Sequence, residues 1–156
     1  MPGGSVTRLD RAGTPTKRAR GMTGINIIFV DDENEFLSNL AETFQGRGMN
    51  VLTATSGDEA LQIMKGMPIN VVVLDVFMPG KGGIQTLREM RRAFPETEVL
   101  LLSGMADLET AVAGMKSGAF DYLVKPVNID ELETRVREAC RRRELVGNLA
   151  KAKSVS

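Results

Sequence analysis

The chain has 156 residues, 20 Lys and Arg against 20 Asp and Glu, no histidine or tryptophan, and a single cysteine. That length suits one domain with a real core and leaves little room for a second, so one domain with tails is expected. The apolar runs are only about four to six residues long, far short of the roughly 20 that a membrane-spanning helix needs. Cys140 has no partner for an internal disulfide and no signal-peptide pattern opens the chain, which predicts a soluble protein of a reducing cytoplasm with Cys140 as an inert helix thiol.

Charge is unevenly placed although it sums to zero. Residues 1–24 carry Arg8, Arg11, Lys17, Arg18 and Arg20 against Asp10, and residues 141–156 carry Arg141, Arg142, Arg143, Lys151 and Lys153 against Glu144, so two basic tails flank an acidic middle. The tails have almost no aromatic residues on which bases could stack and no recognised reading motif, so they are read as solvated, and no direct nucleic-acid binding is expected. Residues 1–24, rich in Gly, Thr, Pro and Arg and without periodicity, are expected to be disordered. Met22-Thr23-Gly24 reads as an alternative start, which would make residues 1–21 an upstream extension.

From residue 25 the pattern alternates. Residues 25–30 read as a strand and 34–46 as a helix with Phe36, Leu37, Leu40 and Phe44 on one face, ended by Gly46 and Gly48. Met49–Ala54 read as a second strand. Ser56-Gly57-Asp58-Glu59 is a capping box opening a helix with Ala60, Leu61, Ile63 and Met64 inward, closed by Gly66 and Pro68. Residues 70–75 read as the third strand, with the unbroken apolar run Val71-Val72-Val73-Leu74 expected of a central parallel strand covered on both faces. Gly80, Gly82 and Gly83 form a loop before a helix at about 84–94 that stops at Pro95. Residues 98–102 are the fourth strand, Asp107 caps a short helix ending near Gly118, and the fifth strand lies at about 120–124. Asn128-Ile129-Asp130-Glu131 caps a final helix at about 129–145, with Leu132, Val136 and Ala139 or Cys140 inward. Repeated βα units of this kind build a parallel sheet with helices on both faces.

Four of the five strands end in a residue suited to phosphate or Mg²⁺: Asp31-Asp32, Asp75, Ser103 and Lys125. Open α/β sheets bind their ligands at this carboxyl edge. Three carboxylates brought together repel one another unless a proton or a cation intervenes, and hard oxygen ligands of this kind suit Mg²⁺. With the metal offsetting charge, Asp75 can act as the nucleophile toward a phosphoryl donor and form an acyl phosphate. Lys125 then supplies a positive charge and Ser103 a hydroxyl for the equatorial oxygens.

Val30-Asp31-Asp32-Glu33, Leu74-Asp75-Val76-Phe77-Met78-Pro79, Leu102-Ser103-Gly104 and Tyr122-Leu123-Val124-Lys125-Pro126-Val127 together resemble, in order and spacing, the receiver domain of two-component response regulators, over residues 25 to about 140. The resemblance implies a flavodoxin-like (βα)5 sheet with strand order 2-1-3-4-5 and a bacterial origin. It implies Asp75 as phosphoacceptor, Mg²⁺ held by Asp31, Asp32, Asp75 and the backbone carbonyl of Phe77, and a cis Lys125-Pro126 bond. It also implies a switch in which Ser103 swings toward the phosphoryl group and Tyr122 turns inward with it, so that phosphate biases a two-state equilibrium. Tyr122 read without the resemblance is simple core packing.

The chain departs from the family pattern in places. Ser103 stands where many relatives have Thr, and Gly82 stands where an Asp or Ser often caps the third helix. Phe77 and Met105, two residues beyond Asp75 and Ser103, are both apolar; if they cover the phosphoryl group they hinder the attacking water and lengthen the life of the phosphorylated form. With no histidine, the chain is neither histidine kinase nor His phosphotransfer module, so its donor is a sensor histidine kinase or His phosphotransfer protein acting in trans. It is expected to catalyse only its own phosphoryl transfer and autodephosphorylation. Residues 25–145 are read as the receiver and 146–156 as a tail or truncated linker, too short for a DNA-binding helix-turn-helix. Output is then by protein contact, through a target protein or an output domain of a longer regulator. Phosphorylation-dependent homodimerisation through the last helix and fifth strand is a further expectation. Two other classes are weighed: an aspartyl-phosphate hydrolase of the haloacid dehalogenase type, which needs a second acid where Phe77 stands, and a receiver-like interaction module that works without phosphorylation.

Overall fold

The computed structural model describes residues 24–78, 82–104 and 107–155, with side chains as far as Leu145. The expected disorder of the N-terminal stretch, Pro79, Gly80 and Met105 therefore lie outside the described residues. Five strands, β1 (Asn26–Val30), β2 (Asn50–Ala54), β3 (Val71–Asp75), β4 (Glu98–Ser103) and β5 (Asp121–Val124), alternate with five helices. The helices are α1 (Asn34–Gly46), α2 (Gly57–Gly66), α3 (Gly83–Ala93), α4 (Leu108–Lys116) and α5 (Ile129–Val155). All strand pairs are parallel, in the order β2-β1-β3-β4-β5. This is the expected flavodoxin-like (βα)5 fold, and most element ends fall within a residue of those read from the sequence.

The strands are short because each apolar run is short, and the central β1, β3 and β4 are buried on both faces because the two-residue repeat offers apolar side chains to both. Ile27, Phe29, Val71, Val73, Leu100, Leu102 and Leu123 face one way, onto Leu37, Leu40 and Phe44 of α1 and Leu132, Val136 and Ala139 of α5. Ile28, Val30, Val72, Leu74, Val99 and Leu101 face the other, onto Ala60 and Met64 of α2 and Leu87 and Met90 of α3. At the sheet's amino edge, Asn70 Oδ1 accepts the Asn26 N–H at 2.7 Å and Asn26 Oδ1 accepts from Asn50 Nδ2 at 3.0 Å. These partners satisfy polar groups that β1, β2 and β3 would otherwise bury unpaired.

The caps follow the motifs. Ser56 Oγ accepts the Glu59 N–H at 3.1 Å, Asp107 Oδ1 accepts that of Glu109 at 3.1 Å, and Asn128 Oδ1 accepts that of Glu131 at 3.0 Å, each satisfying a donor that a helix start leaves unpaired. α1 closes through Gly48 at φ +89°, a conformation that glycine adopts without strain. Gly82 caps α3 with no side-chain bond. The end is held instead by the Thr86 hydroxyl, which donates to the Gly82 carbonyl at 3.1 Å, and by Gly83, whose N–H donates to the Val76 carbonyl at 3.1 Å. A Cβ at position 83 would stand 2.5 Å from the Val76 Cα, so this close approach requires glycine.

The clearest difference from the sequence reading is α5, which runs to Val155 rather than ending near residue 145. No proline follows Pro126, and Leu, Ala, Lys and Arg dominate its distal half. The penalty of about 1 kcal/mol for Gly147 is too small to stop a helix made of such residues. Cys140 is a buried free thiol, pushed up to about 11 by burial and by Glu144 against the opposing Arg143 and Arg137, as its reading as an inert helix thiol predicts. None of the described helices is long and apolar enough to cross a membrane.

Candidate functional site

Register carries the strand-end residues to one place. β1 and β3 are neighbours with Val30 opposite Leu74, so Asp31 and Asp75, each the next residue, leave adjacent strands at the same level. Both are almost fully buried, while Asp32 is exposed. Oxygen atoms of Asp31, Asp32 and Asp75 lie within 4.8 Å of one another. Local bonds fix them: Asp31 Oδ1 accepts the Glu33 N–H at 2.9 Å and Asp75 Oδ1 accepts that of Phe77 at 3.1 Å. These are the short side-chain-to-backbone bonds that Asp makes at loop starts.

Lys125 enters from β5. Its N–H donates to the Ser103 carbonyl at 2.7 Å, and the Lys125-Pro126 bond is cis. Its ammonium donates to Asp31 Oδ2 at 2.7 Å and stands 3.9 Å from Asp75 Oδ2 and from Glu33 Oε1. It also lies 4.3 Å from the centroid of the Phe36 ring. Burial pulls this ammonium down, but the hydrogen bond to Asp31 and the charges of Asp75, Asp31 and Glu33 outweigh it and hold Lys125 above its ordinary value. Burial pushes the Asp75 carboxyl up to about 6; the Phe77 N–H and Lys125 oppose this, while Asp31 and Asp32 add to it.

Three carboxylates against one ammonium leave negative charge uncompensated in a site with two of its acids buried. That donor set fits Mg²⁺, which takes a few carboxylates and keeps waters, and Asp32 is open to solvent. The three acids could hold such an ion.

Ser103 and Tyr122 sit apart from the acids. In β4–β5 pairing Ser103 is opposite Val124 and Leu101 opposite Tyr122, so by the two-residue repeat Ser103 and Tyr122 share the sheet face of α3. Asp31 and Asp75 are in step with Phe29 and Val73, on the face of α1 and α5. Ser103 is fully buried; Tyr122 is half-buried and packs against the second core cluster. Phe77 borders Asp75 and is 47% exposed.

Reading the sequence alone missed two participants. Phe36 was placed only on the apolar face of α1, and nothing in its spacing distinguishes a ring that meets a cation from one that meets the core. Gly83 was placed in a loop; the one available signal was the density of glycines just before the helix. Among the described residues, the exposed apolar side chains lie mostly off the last helix, which shows only Leu145, 64% exposed: Leu108, Val112 and Met115 on α4 are 78%, 41% and 46% exposed, and Val124 on β5 is 40% exposed.

A parallel (βα)5 sheet of this order with acids and a lysine at its carboxyl edge defines a class of signalling domain, and the chain belongs to it: the family model of the response regulator receiver domain matches residues 27–137. Among its relatives, the regulatory protein AtoC of Escherichia coli K12 is 40% identical over 119 residues, covering 76% of this chain and 26% of AtoC. The chain thus spans about a quarter of that protein's length. A response regulator receiver domain protein from Clostridium thermocellum superposes with a TM-score of 0.74 at 37% identity, covering 78% of this chain and 98% of that one. The beryllofluoride-activated NtrC4 receiver domain dimer superposes with a TM-score of 0.72 at 28% identity, covering 76% of this chain and 98% of that one.

Proposed function

We propose that Asp75 is the phosphoacceptor of a Mg²⁺-dependent conformational switch, and that residues 25–145 form its receiver unit. The observation that carries this reading is the convergence on Asp75: a buried carboxylate beside two more acids and 3.9 Å from the Lys125 ammonium. A phosphohistidine of a sensor kinase or His phosphotransfer protein is the donor. The P–N bond breaks as a P–O bond forms to a carboxylate oxygen of Asp75, and the imidazole leaves with a proton from solvent. Asp31, Asp32, Asp75 and the Phe77 carbonyl would hold the Mg²⁺, which when bound neutralises charge that would repel the donor.

The chain's own residues do the rest. Asp75 with its carboxyl near 6 is mostly ionised at neutral pH and so nucleophilic. Lys125 stays cationic and turns toward the phosphoryl oxygens, and the Ser103 hydroxyl donates to them. These contacts exist only in the phosphorylated state, so they shift the equilibrium between two arrangements of Ser103 and Tyr122. The same site limits phosphate lifetime through in-line water, which the exposed Phe77 next to Asp75 would hinder. The apolar α4 stripe and Val124 then present the surface for output, either a downstream protein or a second copy; the dimeric state of the activated NtrC4 receiver supports the latter.

Intact mass after incubation with acetyl phosphate and Mg²⁺ tests the reading. The expected result is one phosphoryl adduct on the parent and none on Asp75→Asn or with chelator. An adduct that persists in Asp75→Asn contradicts it, and a parent that stays unmodified and also ignores beryllofluoride favours the phosphorylation-independent module.

A further inference from the structure

We propose that Phe36 is a positioning residue for Lys125: its ring is a seat for the ammonium, from which the cation turns from Asp31 toward a phosphoryl group on Asp75. The inference rests on the reading of Asp75 as phosphoacceptor and adds a residue to that site.

The geometry around the ammonium carries it. Lys125 has three N–H donors, and of its acidic neighbours only Asp31 is at hydrogen-bond distance, 2.7 Å, with Asp75 and Glu33 both at 3.9 Å. Among the described residues, the Phe36 ring is a further neighbour, at 4.3 Å to its centroid. Phe36 is the third residue of α1 and, partly buried, packs against the core cluster beneath, so one side of the ring is backed by protein.

The choice of an aromatic at this place has a consequence. A carboxylate or amide there would bind the ammonium along a fixed direction and hold it away from Asp75. An aliphatic side chain would offer no attraction and would leave the cation to water or to Glu33. A ring face attracts a cation without fixing its hydrogen-bond directions. The ammonium can therefore exchange Asp31 for a phosphoryl oxygen while keeping one constant neighbour. With the cation already seated beside Asp75 rather than left to water or to Glu33, less of its freedom is lost when a phosphoryl group arrives.

The test uses the whole chain and beryllofluoride at saturating Mg²⁺, with affinity read by ¹⁹F NMR, in the parent, Phe36→Leu, Phe36→Tyr, Lys125→Met and the Phe36→Leu/Lys125→Met double variant. Phe36→Leu is expected to weaken beryllofluoride binding by roughly three- to ten-fold, the range a partly desolvated cation–ring contact supports. Phe36→Tyr, which keeps the ring, is expected to stay within about two-fold of the parent. Mg²⁺ affinity by calorimetry should not change in Phe36→Leu, and in the Lys125→Met background Phe36→Leu should have no further effect. If Phe36→Leu does not fold, Phe36→Met carries the same expectation. An equal loss in the Lys125→Met background, a parallel loss of Mg²⁺ affinity, or no loss at all would overturn the inference and leave Phe36 as core packing. A parent that does not bind beryllofluoride would instead defeat the reading of Asp75 itself, and this inference with it.

Discussion

Helices α1 and α4 flank the same carboxyl edge of the sheet but are held to it in different ways. α1 buries Leu37, Leu40, Ala41, Phe44 and Gln45, with the Phe44 ring 5.1 Å from that of Phe29, and its carboxyl end is tied to α5 by Arg47 with Asp130 and Glu133. α4 buries only Gly114, which lets the helix lie against the Leu101 side chain, while Leu108, Val112 and Met115 stay exposed on its outer face. Stability is not uniform across a fold, and elements with few buried apolar groups open most readily. The acids and Phe36 sit on the α1 side; Ser103 and Tyr122 sit on the side of β4, α4 and β5. The contrast teaches a division of labour: the side that must hold a charged cluster in fixed geometry is deeply packed, and the side proposed to answer it is shallow.

The largest effect should come from undermining the packed side. Phe44→Ala removes a fully buried ring and is expected to lower stability by about 3–5 kcal/mol, measured by urea denaturation. A loss under 1 kcal/mol would mean that α1 is not anchored as described. Next comes the glycine under Asp75. In Gly83→Ala the new Cβ meets Val76 backbone, which cannot move aside as a flexible side chain would, so a loss of about 2–3 kcal/mol is expected. Acetyl phosphate labelling should fall with it, because Val76 follows Asp75 directly.

Titration sharpens the same comparison. The Asp75 carboxyl is raised from 3.8 to about 6 in the folded protein, so between those values the native state holds more proton than the unfolded chain and stability falls as pH rises. Above about pH 6 the ionised group destabilises the fold by about 2–3 kcal/mol. Asp75→Asn should therefore melt higher than the parent at pH 7 in chelator, with the gap closing below about pH 4. A gap independent of pH would show that burial of this charge is not what separates the two proteins. The smallest effect on stability belongs to α4: Val112→Ser is expected to change it by no more than about 0.5 kcal/mol, yet to weaken self-association with beryllofluoride bound, as read by light scattering.

Much of the site was legible before the fold was known because it lies where apolar runs stop. Asp31, Asp75, Ser103 and Lys125 each interrupt or follow a short strand, and a parallel sheet places such ends side by side. The strand order needed more than pattern, since alternation alone does not say whether β3 lies beside β1 or beside β2; that came from the resemblance. What stayed hidden depends on distance in space. Gly83 is decided by how closely its backbone meets Val76, and Phe36 by a lysine 89 positions along the chain. The shallowness of α4 was hidden because Leu108, Val112 and Met115 have the same helical spacing that would mark a buried face. The end of α5 was misplaced because the inward apolar spacing of Leu132, Val136 and Ala139 stops before residue 145, although the Leu, Ala and Lys that follow are good helix formers.

Hydrogen exchange followed by mass spectrometry, with and without beryllofluoride and Mg²⁺, tests the division between the two sides most directly. The account predicts that amides of α1, β1 and β3 exchange slowly in both conditions, that those of α4 exchange much faster in the free protein, and that α4 and β5 are the segments whose rates change on binding. Free-state protection in α4 equal to that in α1, or a response to beryllofluoride confined to α1, would contradict it.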